Sequence, residues 1–482
     1  MPNQTRRLFL TATTAAAAAA TLPGCASRMQ SSATPRADVI ILGAGLAGLN
    51  AGLILEAAGM KVTVLEASNR IGGRVYTLDD VPGTPETGGT QIGMAYKRVV
   101  DTAKKLGLTL IPNGRSPLLS EDSITYYIKG QRMTRTEWAA SSLNPFQDAQ
   151  RNMPPDRLLG RLIGPSPLAS VNAWRDEASA IYDTSSLAHL RAKGLSPEVL
   201  RLLQINNSYG DSLADTSLLN LYHAQSNITE IMKTPGPILG IAGGNQRLPE
   251  AMAGKLSSPV TLNKRVVSVS RDERGVEIIC ADGSKYQARF AICTLPLPAM
   301  RGVTFTPALS DRVATAVQQV PYARITQLHL AVSKQFWKDD GRAPFLWSDG
   351  LLKRVFPSDP LASGNPQTLT VWVNGPETAN WDKLSLQEAE ALALKEMQRI
   401  FPASEGALRL AKRVSWHGNT LAGGAWVNWS PGQISQFARA VAAPIGRLHF
   451  AGEHCAPGVR GLEGAMASGE VAAQKIIAEL KV

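Results

Sequence analysis

The chain has 482 residues, enough for two domains, and its 44% hydrophobic and 18% charged residues are typical of a globular protein. Its 50 basic residues exceed its 39 acidic residues, which gives a formal net charge of +11. Because the basic residues are scattered and not clustered with aromatic residues, we expect no nucleic-acid partner. The four cysteines have no paired spacing, so the sequence predicts neither a disulfide framework nor a metal site.

The N-terminal segment 1–30 has the three parts of a twin-arginine export signal. Arg6 and Arg7 are followed by three apolar residues and a weakly apolar Ala/Thr stretch up to Leu22. This stretch is too short and too weakly hydrophobic for a membrane span, so no transmembrane segment is predicted. We expect the folded protein to be exported to the periplasm. A lipid anchor at Cys25, within a sequence that resembles a lipobox, remains open.

The first unit beyond this signal is predicted to be a strand, a turn, a helix and a second strand. Residues 38–42 have the apolar run of a buried parallel strand, and 46–58 have a helical pattern. Residues 61–66 form the second strand, which ends in Glu66. With a G-x-G-x-x-G turn after the first strand, this order predicts a dinucleotide site. An ordinary βαβ unit with glycines for packing is the alternative.

Each glycine of this turn has a predicted role. Gly43 permits the tight turn, Gly45 lets the backbone approach a pyrophosphate, and Gly48 lets the helix pack on the strand. The N-terminus of the helix then faces the phosphates. The carboxylate of Glu66 accepts hydrogen bonds from a ribose hydroxyl pair.

Two further glycine doublets follow the acidic residue. The first includes Gly73 and is flanked by Arg70 and Arg74, and the second ends at Gly89. N–H and guanidinium groups in such a cluster suit the diphosphate of a large anionic cofactor. The order of glycine turn, acid and R-x-G-G-R resembles the FAD-binding segment of the flavin amine oxidase family. That family also has protoporphyrinogen-oxidase-like and carotenoid-desaturase-like branches, and the resemblance implies FAD rather than NAD.

The dinucleotide-binding signals come in three separate segments, 37–110, 236–300 and 441–482. Between them, residues 111–235 have mostly helical patterns, and residues 301–440 alternate more like strands. This discontinuous arrangement also resembles flavin amine oxidases. We therefore expect an α/β fold in which the three segments form a Rossmann-like FAD-binding domain of the GR2 type. The two insertions would form an α+β substrate-binding domain.

Short motifs spread over nearly the whole chain carry the resemblance further. They are GGNQRLP at 243–249, TLPL at 294–297, FW at 336–337, GGAW at 423–426, FAGEH at 450–454 and EGA at 463–465. The resemblance implies that Glu453 lies by the ribityl-diphosphate region of FAD. It also implies that the backbone of Leu462 meets the flavin ring and that the backbone of Val266 contacts the adenine.

The reaction that the resemblance implies needs few ionisable groups. A flavin accepts hydride equivalents from a carbon next to nitrogen when an uncharged amine is held over its N5 atom in a dry cavity. Trp426 matches the first aromatic residue of the family's cage, while Gly461 matches the second and leaves that side open. Ala425 stands where some members have a cysteine bonded to the flavin, so FAD should be non-covalent. Cys455 is the nearby alternative for attachment.

A predicted strand at 324–332 has apolar side chains on one face and Gln327 and His329 on the other. This polar pair predicts that the strand lines a cavity. Gln327 falls where the family usually has a lysine that holds a water at flavin N5, so oxygen reactivity is in doubt. His329 either substitutes for that lysine or is a structural histidine.

Amino-acid oxidases of the same superfamily place an arginine shortly after the glycines that match Gly89, where it clamps the substrate carboxylate. Residues 90–92 of this chain contain no arginine, although one such as Arg98 could act instead. We therefore expect a bulky or extended amine rather than a small α-amino acid.

Four functions remain after these observations. The first is an exported FAD-dependent amine oxidase or dehydrogenase that oxidises a C–N bond to an imine, which is then hydrolysed, with electrons passing to O2 or a periplasmic carrier. The alternatives are an L-amino acid oxidase, a desaturase or porphyrinogen-type oxidase acting on C–C bonds, and a flavin-binding protein without turnover. The sequence does not decide between a monomer and a homodimer.

Overall fold

The structure is a computed structural model that describes residues 37–113, 124–358 and 366–480. The predicted export signal 1–30 and the lipid-anchor candidate Cys25 lie outside these ranges. Within the described residues, no helix is both long enough and apolar enough to cross a membrane.

The strands are distributed along the whole described chain. They are β1 (Ala37–Leu42), β2 (Val62–Leu65), β3 (Leu110–Pro112), β4 (Thr125–Ile128), β5 (Gln131–Met133), β6 (Leu239–Ile241), β7 (Val266–Arg271), β8 (Val276–Cys280), β9 (Lys285–Cys293), β10 (Thr304–Thr306), β11 (Ile325–Val332), β12 (Leu346–Ser348), β13 (Arg354–Pro357), β14 (Thr368–Asn374), β15 (Leu408–Ser415) and β16 (Leu448–Phe450).

The α-helices lie between and after these strands, singly or, as with α3 to α7, in succession. They are α1 (Leu46–Ala57), α2 (Lys97–Lys105), α3 (Arg135–Ala140), α4 (Pro155–Leu162), α5 (Ser186–Ala192), α6 (Pro197–Gln204), α7 (Leu218–Met232), α8 (Arg247–Ala253), α9 (Leu297–Met300), α10 (Asp311–Gln319), α11 (Phe336–Asp340), α12 (Thr378–Asp382), α13 (Leu386–Ile400), α14 (Gln433–Phe437) and α15 (Gly461–Leu480). Short 3-10 turns, such as Ala173–Arg175 and Glu453–Cys455, join some of them.

The first sheet collects strands that are far apart in sequence. Its order is β10-β7-β8-β9-β1-β2, with β16 also paired to β9. β1 is parallel to both β2 and β9, and β16 is parallel to β9. Leu42 is in register with Leu65 and with Cys293, and Cys293 is in register with Phe450. The residues that follow these four strand ends therefore meet at one edge, where doubly wound sheets bind ligands.

The predicted βαβ unit is present as β1, α1 and β2. α1 begins directly after the glycine turn and packs on β1, because Gly48 allows a close approach. A Cβ atom on Gly48 would lie 2.1 Å from the carbonyl oxygen of Gly43. Buried Leu49 and Leu55 of α1 belong to the same apolar core as Met466 of α15.

The second sheet has the order β15-β11-β14-β13-β12-β4-β5 and is mixed, with β12 and β4 parallel and the other neighbours antiparallel. Its apolar face packs on α13, where Ala393 and Met397 are fully buried in one cluster with Leu328 and Val371. The helical patterns of the first insertion correspond to helices α3 to α7. That insertion also contains β4 and β5, which extend the second sheet and were not predicted from the helical pattern.

The α/β fold expected from the sequence is confirmed. The segments predicted to bind the dinucleotide supply the strands of the first sheet up to β9 together with β16. The second insertion supplies β11 to β15 of the second sheet.

Candidate active site

A cavity of about 760 Å³ opens beside the residues that follow β1, β2 and β9. Many residues singled out from the sequence line it, among them Gly43, Gly45, Glu66, Arg70, Gly73, Arg74, Gly89, Val266, Ala425, Trp426, Glu453, Gly461 and Leu462. The structure thus brings the predicted cofactor residues other than Gly48, together with the predicted aromatic wall, to one cavity, although they come from stretches that are far apart in the chain. Gly48 instead lies where α1 packs on β1, as predicted for it.

The glycine turn leaves space where a diphosphate would need it. Gly43 has a φ of +109°, and a Cβ atom there would lie 2.5 Å from the hydroxyl oxygen of Thr294. At Gly45, by contrast, a Cβ atom would meet no atom within 4 Å and would project into the cavity. The Cβ position of Gly73 lies 3.4 Å from the Cα atom of Gly45, so the two glycine clusters face each other. This cradle fits an anionic group held by backbone N–H donors.

Glu66 is held at the cavity edge by the backbone around it. Its Oε2 atom accepts a 2.8 Å hydrogen bond from the N–H of Ala44, and its Oε1 atom accepts a 2.9 Å bond from the N–H of Ser68. The side chain is buried but lines the cavity. A carboxylate has about four lone-pair positions, so two acceptor positions remain for a hydroxyl pair.

The two arginines of the second glycine cluster are bound to protein groups. Arg70 donates from Nη1 to the carbonyl oxygens of Ile71 and Val75, and from Nη2 to that of Gly73 at 2.6 Å. Burial lowers the pKa of its guanidinium from the ordinary value. The sequence predicted guanidinium groups around the diphosphate. Arg70 instead shapes the backbone of the glycine cluster, which leaves backbone N–H groups as the main donors for that anion.

Arg74 forms an ion pair with Glu453, with 2.9 Å between Nη1 and Oε1. Nη1 also donates to the carbonyl oxygen of Ala425 at 3.1 Å, and Oε1 of Glu453 accepts from the N–H of Val427 at 2.7 Å. Burial works to raise the pKa of Glu453, but the charge of Arg74 holds it below its ordinary value. The pair therefore fixes both residues on either side of Trp426.

Trp426 forms one wall of the cavity. Its indole N–H donates to the carbonyl oxygen of Ser208 at 3.1 Å, and its ring stacks on Trp372 with centroids 6.4 Å apart and planes 23° from parallel. Trp372 also lines the cavity, as does Trp416, whose N–H donates to the carbonyl oxygen of Thr87 at 2.7 Å. The sequence identified Trp426 as a wall residue, but it did not identify Trp372 and Trp416 as cavity residues.

Gly461 and Leu462 begin α15 at another side of the cavity. Leu462 fits against Gly89 so closely that a Cβ atom on Gly89 would lie 2.4 Å from its Cδ2 atom. Among the described residues, a Cβ atom on Gly461 would have one neighbour within 4 Å, the hydroxyl oxygen of Tyr96 at 3.6 Å. Tyr96, the residue before α2, therefore forms part of the wall on the side that Gly461 leaves open. Burial raises the pKa of this tyrosine to about 12, so it is neutral.

Similarity to known proteins extends over nearly the whole chain. Residues 46–477 match the family model of flavin containing amine oxidoreductases. This chain belongs to the flavin-containing amine oxidoreductase family.

The relatives of this chain include proteins with different activities. An L-amino-acid oxidase of Siganus canaliculatus is 27% identical over 91% of this chain and 85% of its own length. An L-amino acid dehydrogenase of Synechocystis is 25% identical, with 94% and 97% covered, and a flavin-containing amine oxidase of Danio rerio is 24% identical, with 91% and 85% covered.

Solved structures have the same fold. A cyclohexylamine oxidase from Brevibacterium oxydans has a TM-score of 0.75 at 24% identity, covering 93% of this chain and 100% of that one. A putrescine oxidase bound to putrescine has a TM-score of 0.74 at 22% identity, covering 92% and 99%.

Gln327 and His329 do not lie on the cavity wall of this flavin-containing amine oxidoreductase, contrary to expectation. Both are fully buried. The side chain of Gln327 donates to the carbonyl oxygen of Thr87 at 2.8 Å, and its Oε1 atom lies 3.1 Å from Nε2 of His329. Nδ1 of His329 lies 3.0 Å from the hydroxyl of Thr370. The alternating pattern correctly predicted that Gln327 and His329 share one face of β11. This face packs against Thr87 and Thr370, which supply the hydrogen-bond partners of the two side chains.

Arg98 and Cys455, the other two candidates from the sequence, also bind protein groups outside the cavity. Arg98 pairs with Glu463 at 3.0 Å and with Glu470 at 2.5 Å, so its guanidinium is not available as a substrate clamp. Cys455 is buried and its thiol donates to the carbonyl oxygen of Val441 at 3.2 Å, away from the cavity wall. Ala425, by contrast, does line the cavity.

Proposed function

We propose that this protein binds FAD non-covalently and oxidises the C–N bond of an amine to an imine, which water then hydrolyses. The observation that carries the proposal is that one cavity contains both the glycine cradle and the aromatic wall of Trp426. Family membership supports a flavin-dependent reaction on an amine or amino acid.

The residues of the cavity fit an FAD molecule in the following way. The backbone of Gly45 and Gly73 would hold the diphosphate, and Glu66 would accept hydrogen bonds from the adenosine ribose. Leu462, at the N-terminus of the twenty-residue helix α15, would lie by the flavin ring, where the positive end of the helix favours negative charge. When bound, FAD would supply the acceptor for the hydride equivalents. Because Ala425 has no nucleophilic atom, attachment would be non-covalent.

The protein side chains would orient the amine and exclude water from it. The flat face of Trp426 attracts a cationic amine as it enters and then gives it an apolar surface on which the uncharged form is stable. Stacking on Trp372 and the bond to Ser208 prevent Trp426 from rotating. Holding the reacting carbon in one orientation is the main catalytic contribution that such a wall can make.

Product analysis tests this proposal. Turnover of an amine with an artificial electron acceptor should yield one carbonyl compound and one ammonia or shorter amine per two electrons transferred. A product that has lost two hydrogens to a new C=C bond and keeps its nitrogen would favour the desaturase alternative. Absence of any product, with flavin bound, would favour a binding protein without turnover.

Separation of FAD from the protein tests the non-covalent part. Acid precipitation should leave all of the yellow cofactor in the supernatant. Flavin that remains with the protein pellet would contradict the role given to Ala425.

We also propose export through the twin-arginine route, which the paired residues Arg6 and Arg7 and the apolar stretch after them support. Replacement of both arginines by lysine should retain the protein in the cytoplasmic fraction, while the unchanged protein is recovered from the periplasm. Equal distribution of the two proteins would contradict export by this route.

The electron acceptor is proposed to be a periplasmic carrier in preference to O2. Gln327 replaces the lysine usual in the family, and its amide is bound to the carbonyl oxygen of Thr87. Stopped-flow mixing of the reduced protein with oxygen should give reoxidation slower than turnover with a carrier. Reoxidation as fast as turnover would contradict this proposal.

A further inference from the structure

Arg460 lies on the cavity wall directly before Gly461, and its guanidinium has no acceptor among the described residues. Its Nη1 atom is buried without a hydrogen-bond partner, and no ion pair joins the side chain to a carboxylate of the described ranges. The other described arginines at the cavity differ. Arg70 and Arg74 are bound to carbonyl oxygens and a carboxylate, and Arg265 is exposed to solvent.

The position of Arg460 is fixed by the first insertion. The backbone of the loop 456–460 forms hydrogen bonds with side chains of this insertion at four residues. Arg175 donates to the carbonyl oxygen of Ala456, and the Trp174 indole donates to that of Pro457 at 3.1 Å. His223 binds the carbonyl oxygen of Gly458 at 2.7 Å. The N–H of Arg460 donates to the side chain of Asn227 at 2.9 Å. A loop held at four of its five residues presents the Arg460 side chain in one place, which favours a binding role over a mobile surface charge.

The charge of Arg460 is not compensated by its neighbours. The guanidinium carbon lies 5.8 Å from the centre of the Tyr209 ring, which is a neutral neighbour. Burial raises the pKa of Tyr96 to about 12 and lowers that of His223 well below 6.5, so both are uncharged at neutral pH. The nearby carboxylate of Glu463 is already paired with Arg98. A guanidinium with one nitrogen buried and unpartnered is stabilised when a ligand supplies the counter-charge.

Arg460 is on the substrate side of the cavity. Tyr209, over which its guanidinium lies, directly follows Ser208, whose carbonyl oxygen accepts the indole N–H of Trp426. Arg460 and the aromatic wall are thus connected through two adjacent residues of one loop. A substrate seated on Trp426 can extend toward Arg460.

We propose that the amine oxidised by this protein carries an anionic group, such as a carboxylate, and that the Arg460 guanidinium binds it. This inference rests on the proposed function for the oxidation step, but not for the anion site itself. A guanidinium is suited to the task because its planar donors match the two oxygens of a carboxylate. The same charge would disfavour a substrate that presents a second ammonium group at this position.

Matched pairs of amines test the proposal with the flavin-loaded protein under anaerobic conditions. The pairs are tryptamine with L-tryptophan, phenethylamine with L-phenylalanine, and butylamine with 4-aminobutyrate. In at least one pair the anionic member should reduce the flavin about ten- to a hundredfold more efficiently, the effect of one charge-assisted hydrogen-bonded pair. Arg460→Met should remove this preference and leave the neutral member unchanged or improved. If no anionic member exceeds its neutral partner, or if the variant lowers both equally, the inference is wrong.

A binding measurement separates this inference from the oxidation reaction. Phenylacetate, which has no amine, should perturb the flavin absorbance of the wild-type protein at lower concentration than neutral phenylacetamide does. Arg460→Met should lose this difference, and Arg460→Lys should keep part of it. If no amine reduces the flavin but this pattern holds, the proposed reaction fails and the anion site stands. Equal binding of phenylacetate to the wild type and Arg460→Met overturns the anion site whatever the turnover.

Two controls exclude indirect effects. The flavin content and melting temperature of Arg460→Met and Arg460→Lys should equal those of the wild type, since Arg460 is assigned to the substrate. Loss of flavin from both variants would instead assign Arg460 to the cofactor and overturn the inference. Arg409→Met removes an exposed arginine of β15 and should behave as the wild type in every assay.

Discussion

Arg74 and Glu453 are joined by a 2.9 Å ion pair that connects the second glycine cluster to the 3-10 turn Glu453–Cys455 before α15. The side chains are 21% and 10% exposed, so the pair is largely removed from water. Both partners also bind the backbone on either side of Trp426, through Ala425 and Val427. The geometry of the cofactor cradle and that of the aromatic wall therefore depend on the same two side chains.

Removing one charge of this pair should destabilise the fold. Glu453→Gln leaves Arg74 largely buried without a counter-charge, and we expect a loss of about 3 kcal/mol in the free energy of unfolding. Denaturant unfolding of the flavin-free protein measures it. Glu230→Gln, which breaks the exposed pair with Lys233, is the matched control and should cost less than about 0.5 kcal/mol. Equal losses in the free energy of unfolding for the two substitutions would show that the buried pair stabilises the fold no more than an exposed one.

The same pair predicts a pH dependence. The pKa of Glu453 in the folded protein lies below its ordinary value of 4.5, so its stabilising contribution is complete above that value and is lost as the pH falls through the folded pKa. The stability difference between wild type and Glu453→Gln should therefore be constant near neutral pH and shrink in acid below about pH 4.5. A difference that grew in acid would contradict the assigned direction.

Glu66 should determine how much flavin the protein retains. Glu66→Ala removes the acceptor for the ribose hydroxyls and also leaves the N–H groups of Ala44 and Ser68 without their partner. We expect weaker cofactor binding by about 1–3 kcal/mol, measured as the flavin-to-protein ratio after dialysis. Glu56→Ala is the control, because it removes the bonds to Ser257 of a carboxylate of α1 that is not on the cavity wall. Full flavin retention by Glu66→Ala would remove Glu66 from the cofactor site.

Trp426 should affect reduction of the flavin more than stability. Trp426→Phe keeps an aromatic ring but loses the bond to Ser208 and part of the stacking on Trp372, so reduction by the substrate should slow with little change in melting temperature. Trp381→Phe changes a fully buried tryptophan of α12 that packs in the core beside the second sheet, and it should show the opposite pattern, a loss of stability with little change in flavin reduction. A parallel loss of stability and activity in Trp426→Phe would indicate a core residue only.

Gly461 should set the size of the substrate. Gly461→Tyr fills the space beside Tyr96 and should slow flavin reduction by bulky amines while sparing small primary amines. Because Gly461 has a φ of +68°, any side chain there adds backbone strain of about 1 kcal/mol. Gly461→Ala carries this strain without the bulk and is the necessary control. If the alanine variant excludes bulky amines equally, the effect is due to strain.

The sequence predicted local features well because they depend on short-range patterns. The apolar run of β1, the glycine turn and Glu66 all follow from spacing within thirty residues, and the structure places the glycine turn and Glu66 at one cavity edge. The face of β11 that carries Gln327 was also predicted, since it depends only on alternation.

Contacts between distant segments were not predictable in this way. The pattern of β11 could not indicate that the carbonyl oxygen of Thr87 binds Gln327, and Arg98 could not be known to pair with α15. Tyr96 and Arg460 reach the cavity from separate elements, and no local motif marks either of them. The position of Arg460 directly before Gly461 was the one available signal.

We propose that this protein transfers electrons from the C–N bond of an amine to its flavin. Anaerobic mixing of the flavin-loaded protein with a panel of amines and amino acids, with the matching alcohols as controls, tests it most directly. We predict that at least one amine bleaches the flavin absorbance in a single turnover and yields one carbonyl product per flavin, while no alcohol does so. If dithionite bleaches the flavin and none of the amines or amino acids does, the proposed oxidation of amines is wrong.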